Sequence, residues 1–92
     1  MSTRLEASRL LVRKAAWLRD NGEVCTQAAA QAKLFASITS NFCADECLQI
    51  HGGAGYTDDF QVERLFRDAR ITEIYEGATD IQRIVISRNL LA

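Results

Sequence analysis

The chain has 92 residues, 48% of them hydrophobic and 25% charged, with five glycines and no proline. A chain of this length buries roughly 60–68% of the surface its unfolded form exposes, which allows one small domain with a modest core and argues against disorder. Eleven Lys and Arg against twelve Asp and Glu leave a formal net charge of -1, and no basic run or face is available to neutralise a phosphate backbone, so nothing points to nucleic acid as a partner.

The N-terminus, Met1 to Glu6, has no apolar signal-peptide core. No uninterrupted apolar run approaches eighteen residues anywhere, so no membrane span is expected. Between Leu5 and Asp20, Leu11, Ala15 and Leu18 recur at i, i+4, i+7, flanked by Leu10 and Trp17, while Arg4, Arg13, Lys14 and Arg19 fall elsewhere. This spacing predicts an amphipathic helix, ended by Asn21-Gly22, the two residues that best tolerate a left-handed backbone.

A second helix is predicted from Thr26 to about Ile50. Its first half is rich in alanine (Ala28, Ala29, Ala30, Ala32), which lets a neighbouring helix approach closely. Its second half carries Leu34, Phe35, Ile38 and Phe42 as packing volume. With only Lys33, Asp45 and Glu46 charged, it is expected to be the central and most buried helix. Cys43 and Cys47 share one of its faces. One histidine and no second cysteine pair leave a zinc site short of ligands, so no metal is expected and the three cysteines read as buried, reduced thiols. Reduced thiols suit a cytosolic or organellar-matrix setting.

The segment His51-Gly52-Gly53-Ala54-Gly55-Tyr56-Thr57 breaks the periodicity. Its glycines admit two readings: backbone N–H groups that approach a dinucleotide, or a helix C-cap followed by a tight turn. No strand precedes them, so the dinucleotide fingerprint of a βαβ unit does not apply. Asp58-Asp59 offer capping oxygens to a third helix, Gln61 to Ala69, in which Glu63 and Arg67 stand as an i,i+4 pair and Val62, Leu65 and Phe66 form the apolar face. Ile71 to Tyr75 has strand-forming residues but no second strand to pair with, and reads as helical turn and loop. The last helix starts after Gly77, where Thr79-x-x-Gln82 has the form of a capping box, and runs toward Leu91. The fold class is all-α, an up-and-down helical bundle of three to four helices with no internal repeat.

The most unusual local feature is Glu76, set between the apolar Ile74-Tyr75 and a glycine just before a helix start. A carboxylate in a partly apolar pocket holds a proton more readily than one in water. The glycine admits a substrate to the backbone, and the helix start supplies free N–H groups for a phosphate or a developing oxyanion. On these residues alone, an exposed glutamate before a glycine turn is the favoured reading.

The combined string Gln49-Ile50-His51-Gly52-Gly53-Ala54-Gly55-Tyr56, then Val62-Glu63-Arg64 with Arg67-Asp68-Ala69, then Ile74-Tyr75-Glu76-Gly77-Ala78-Thr79-Asp80-Ile81-Gln82-Arg83 resembles the C-terminal helical domain of the acyl-CoA dehydrogenases. The likeness reaches back through Ala32-Lys33-Leu34-Phe35-Ala36-Ser37 and takes in essentially residues 1–92. It implies that Glu76 is the base that removes the α-proton of an acyl-CoA thioester while the β-hydride passes to N5 of FAD, with the Glu76 N–H bonded to the thioester carbonyl. Gly77 would lie beside the substrate. Gln49, Ile50, His51, Gly52 and Gly53 would contact FAD of a neighbouring subunit, and Ala78, Thr79 and Asp80 would lie against the cofactor.

The resemblance further implies an electron-transferring flavoprotein as the electron acceptor, and a bacterial cytoplasm or a mitochondrial matrix is the expected setting; homo-oligomeric assembly is expected because a helix as apolar as Ala28–Phe42 would otherwise expose its surface. A glutamate at this position resembles the branches acting on short and medium straight acyl chains. Two departures stand out. Ala78 occupies a position where many relatives have threonine, so a hydroxyl contact to flavin is lost, with Thr79 a partial substitute. The family's N-terminal helical domain, middle β domain and one earlier helix of the bundle are not among these 92 residues. The isolated chain is therefore expected to bind little FAD and to lack dehydrogenase activity. The alternative is a non-catalytic helical association module of the same descent.

Overall fold

The computed structural model describes all of residues 1–92 and contains four α-helices and no strand. Helix α1 spans Ser2–Asp20, α2 Thr26–His51, α3 Val62–Ile71 and α4 Thr79–Leu91, and a 3-10 turn, Gly52–Tyr56, follows α2 directly. No helix is long and apolar enough to cross a membrane. Asn21-Gly22 ends α1 as expected. Gly22 takes the left-handed conformation (φ 71°), and the Asn21 side-chain amide donates to the Trp17 carbonyl at 2.8 Å.

Helix α2 is the axis of the molecule. α1, α3 and α4 each pack on it and not on one another. The result is long, 48 × 22 × 18 Å, with a radius of gyration of 15.4 Å against about 12 Å for a compact domain of this size. The closest packing is made by small residues: Ala28, Ala30, Ala32, Ser37 and Thr39 of α2, Ser8 of α1, and Val62 and Ala69 of α3 are buried. Asn41 ties α2 to α3 by donating to the Ala69 carbonyl at 2.9 Å. The Arg4 guanidinium of α1 lies 3.9 Å from the centre of the Phe42 ring.

Several expectations change. Leu34, Phe35, Ile38 and Phe42 are only half-buried, and of the three residues expected to form the apolar face of α3 only Val62 is buried, Leu65 and Phe66 being exposed. The predicted apolar face of α3 is therefore wider than the single helix it packs on. Glu63 and Arg67 form no ion pair; the ion pairs are Arg9–Glu6, Arg70–Glu73 and Arg83–Asp80, all i,i+3. Asp58 and Asp59 do not cap α3, which starts after Gln61 with no side-chain cap. Thr79-x-x-Gln82 is not a capping box, because the N-cap is Ala78 and Thr79 is already the first helical residue. The three cysteines are free but half-buried, and no cluster of three metal-ligating side chains forms.

Candidate functional site

The segment between α3 and α4 is built by successive turns. Thr72 donates its hydroxyl to the Ala69 carbonyl at 2.6 Å, and the N–H groups of Ile74 and Tyr75 both reach the Ile71 carbonyl, at 2.9 and 3.0 Å. The chain then reverses at two consecutive left-handed residues, Glu76 (φ 56°) and Gly77 (φ 95°). Glu76 is the one non-glycine residue with positive φ, a conformation that costs free energy for any residue with a Cβ.

The far side of the reversal is stitched back to the near side. Thr79 donates both its N–H (3.0 Å) and its hydroxyl (3.3 Å) to the Glu73 carbonyl. The Gln82 side-chain amide donates to the Gly77 carbonyl at 3.1 Å. The Lys33 ammonium reaches across from α2 to the Thr72 carbonyl at 2.5 Å and the Gly77 carbonyl at 3.2 Å. Nothing in the spacing of Lys33 along α2 marks it for this task; its partners are backbone atoms 39 and 44 residues away.

Glu76 itself is exposed, and so are Ile74 and Tyr75, at 54% and 50%. The partly apolar pocket expected around the carboxylate is not formed by these residues, because no other element of the chain folds over the turn. The N–H groups of Glu76, Gly77 and Ala78 donate to no protein acceptor, nor do those of Asp80 and Ile81 in the first turn of α4. An exposed carboxylate and five backbone N–H groups without a protein acceptor therefore lie within residues 76–81, the kind of donors that an oxyanion or a polar cofactor rim uses. Asp80 stands in that first turn, its carboxylate paired with Arg83 at 3.2 Å. The Thr79 hydroxyl is turned inward to Glu73, so as a donor it is not free to replace the hydroxyl that Ala78 lacks.

The second block lies elsewhere. Gln49, Ile50 and His51 end α2, and Gly52 (φ 65°) turns the chain into the 3-10 segment. A side chain added at Gly52 or Gly53 would meet nothing within 4 Å, whereas one at Gly55 would meet the His51 Cβ at 2.6 Å. Gly55 is thus a packing glycine, and Gly52 and Gly53 present bare backbone to the outside. His51 donates its Nδ1–H to the Cys47 carbonyl (2.9 Å) and tilts against the Phe60 ring at 5.5 Å. With a rise of about 1.5 Å per residue, α2 carries Gln49 about 24 Å from Lys33 and the turn it holds. The sequence-predicted cofactor residues therefore form two separate edges and no common pocket on one chain. Only the turn at residues 76–81 offers free donors to the polar rim of a flavin dinucleotide; the Gly52 N–H is taken by the Leu48 and Gln49 carbonyls, so that edge offers exposed glycine backbone, and neither edge encloses a cofactor.

The family model described as "Acyl-CoA dehydrogenase, C-terminal domain" matches residues 1–91. The probable acyl-CoA dehydrogenase YngJ of Bacillus subtilis is 47% identical over 91 residues, 99% of this chain and 24% of that protein. The butyryl-CoA dehydrogenase structure from Megasphaera elsdenii superimposes with a TM-score of 0.97 at 42% identity, over 100% of this chain and 24% of the other. The FAD complex of PigA does so with a TM-score of 0.95 at 30% identity, over 98% and 24%. The chain thus spans about a quarter of the length of the relatives it matches.

Proposed function

This chain belongs to the acyl-CoA dehydrogenase family, whose C-terminal domain it matches, and we propose that it supplies the proton-abstracting base and one cofactor edge of an α,β-dehydrogenation of acyl-CoA thioesters. The observation that carries the reading is the left-handed pair Glu76-Gly77, which presents a carboxylate and its own free N–H on one exposed edge.

In this reading a Glu76 carboxylate oxygen takes the proton from the α-carbon and becomes the neutral acid. The electron pair left behind spreads onto the thioester carbonyl, and the Glu76 N–H donates to that oxygen, stabilising the developing enolate charge. Gly77, without a side chain, lets the thioester lie against the backbone. Flavin, when bound, supplies the two-electron acceptor for the β-hydrogen. Ala78, Thr79 and Asp80 offer the backbone edge along that cofactor, and Gln49 to Gly53 offer a second edge to the cofactor of a neighbouring copy.

The remaining walls that would bury Glu76 and exclude water belong to polypeptide other than these 92 residues, the partial C-terminal helical domain of the whole enzyme. The isolated chain is therefore inactive and holds little FAD. In the complete assembly an electron-transferring flavoprotein takes the electrons, and the butyryl-CoA dehydrogenase likeness favours short acyl chains. The test is flavin bleaching by acyl-CoA in a complex of this chain with the polypeptide that completes the site. Glu76→Gln should abolish bleaching while leaving flavin absorbance in place. Equal bleaching by the two chains would overturn the base assignment.

A second reading, a helical association module without chemistry, draws on the exposed apolar side chains: Trp17 at 62%, Val24 at 84%, Leu90 at 68% and Leu91 at 87%, with no large side chain fully buried. Such surface calls for a partner, here further copies of the chain. Stoichiometric flavin and bleaching in the completed complex separate the two readings.

A further inference from the structure

We propose that Lys33 is a positioning residue that holds the Glu76-Gly77 reversal in its left-handed conformation, with Gln82 as its second support. The inference rests on the reading of Glu76 as the base, because it concerns what aims that carboxylate.

A left-handed backbone at a residue with a Cβ persists only where its surroundings over-determine it. Glu76 makes no side-chain hydrogen bond or ion pair of its own that does so, and the restraint comes from either side of it. Lys33 is half-buried and pairs with no carboxylate. A half-buried ammonium needs acceptors, and it finds two in backbone carbonyls that bracket the reversal, Thr72 before Glu76 and Gly77 after it. Hydrogen bonds from a charged donor are roughly twice as strong as neutral ones. The Tyr75 ring stands 5.9 Å from the same nitrogen and completes its surroundings.

A simpler role, neutralising the carbonyl end of α3, accounts for the Thr72 contact but leaves the Gly77 contact without a reason. Gly77 also accepts from Gln82, so its carbonyl receives two donors from two different helices. Fixing that carbonyl fixes the Gly77-Ala78 peptide plane on the far side of Glu76, and with the Thr72 carbonyl held by the same ammonium on the near side it limits how far the reversal can swing. Lys33 grows from α2, the helix on which every other helix packs, so the turn is referenced to the most anchored element of the molecule.

Amide hydrogen exchange on the full 92-residue chain tests this. The reporters are the Thr79 N–H, bonded to the Glu73 carbonyl across the reversal, and the Tyr75 N–H, bonded to Ile71. Lys33→Met keeps the stem and removes the donors, and should speed exchange at Thr79 by about tenfold or more while mid-helix amides of α1 and α2 keep their rates. Lys33→Arg should restore most of the protection. In a Glu76→Gly chain, where the left-handed conformation is no longer costly, Lys33→Met should have little further effect.

Uniform acceleration in every helix, or an equal effect of Lys33→Met with and without Glu76→Gly, would overturn the proposal. If Lys33→Met does not fold, Gln82→Leu is the second variant: selective acceleration at Thr79 supports the two-donor restraint, and unchanged exchange refutes it. Glu76→Gln retains the backbone conformation and its protection, so a failure of the base assignment in the bleaching assay leaves this exchange pattern intact.

Discussion

Replacing Gly77 with alanine places a methyl group on a backbone held at φ 95°, beyond the left-handed well that residues with a Cβ tolerate. The conformational cost is about 1–2 kcal/mol. The same methyl overlaps the side-chain amide of Gln82, which must swing away and give up its 3.1 Å bond to the Gly77 carbonyl, a further loss of about 0.5–1.5 kcal/mol. Together Gly77→Ala should destabilise the chain by about 2–3 kcal/mol. Urea unfolding followed by far-UV circular dichroism reads this directly: with a slope of about 1 kcal/mol per molar for a small domain, the midpoint should fall by about 2–3 M with the slope unchanged. Both proteins must be compared at one concentration, because self-association adds to apparent stability. Glu76→Gly is the companion experiment of opposite sign, since glycine relieves the left-handed cost and returns only part of it as unfolded-state entropy. A midpoint shift below about 0.5 M for Gly77→Ala, or a clear loss of stability for Glu76→Gly, would refute the account of the reversal.

Asn41→Ala removes the bond that joins α2 to the Ala69 carbonyl and should cost about 1–2 kcal/mol in the same unfolding assay, leaving helix content unchanged. Gly55→Ala forces a methyl onto the His51 Cβ and should cost about 1–3 kcal/mol, whereas Gly53→Ala, which meets open space, should stay within about 0.5 kcal/mol. Sedimentation velocity should find the chain self-associated, and Trp17→Glu or Leu90→Glu should shift it toward the monomer. A wild-type chain that sediments as a monomer at tens of micromolar would count against the association surface.

The helices and the special character of residues 74–77 were legible because both rest on local rules. Apolar spacing set α1 and α2, and glycines marked the two reversals. Cap assignments failed where the chain closed its helix ends with backbone turns: Ala78 caps α4 and Thr79 spends its hydroxyl on Glu73, so a Thr-x-x-Gln string one residue out of register carried no capping box. The apolar face of α3 was legible as a pattern but not as burial, because burial depends on what covers Leu65 and Phe66, and α2 covers them only in part, leaving 51% and 39% exposed. Lys33 was illegible for a different reason. Its partners are carbonyls, which every residue possesses, so no residue type at positions 72 or 77 announces them. The candidate residues 49–53 and 76–80 stand out as motifs, while the distance that α2 sets between them emerges only in three dimensions.

That separation has a genetic consequence. On the reading proposed for the two edges, each cofactor draws one edge from one copy and the other edge from a neighbour. A chain impaired at Gly52-Gly53 and a chain impaired at Glu76 would each fill an assembly with defective sites. Co-expressed, they would form mixed assemblies in which some sites receive both intact edges. Two inactive alleles would then complement one another, with α2 as the spacer that keeps the two lesions out of the same site.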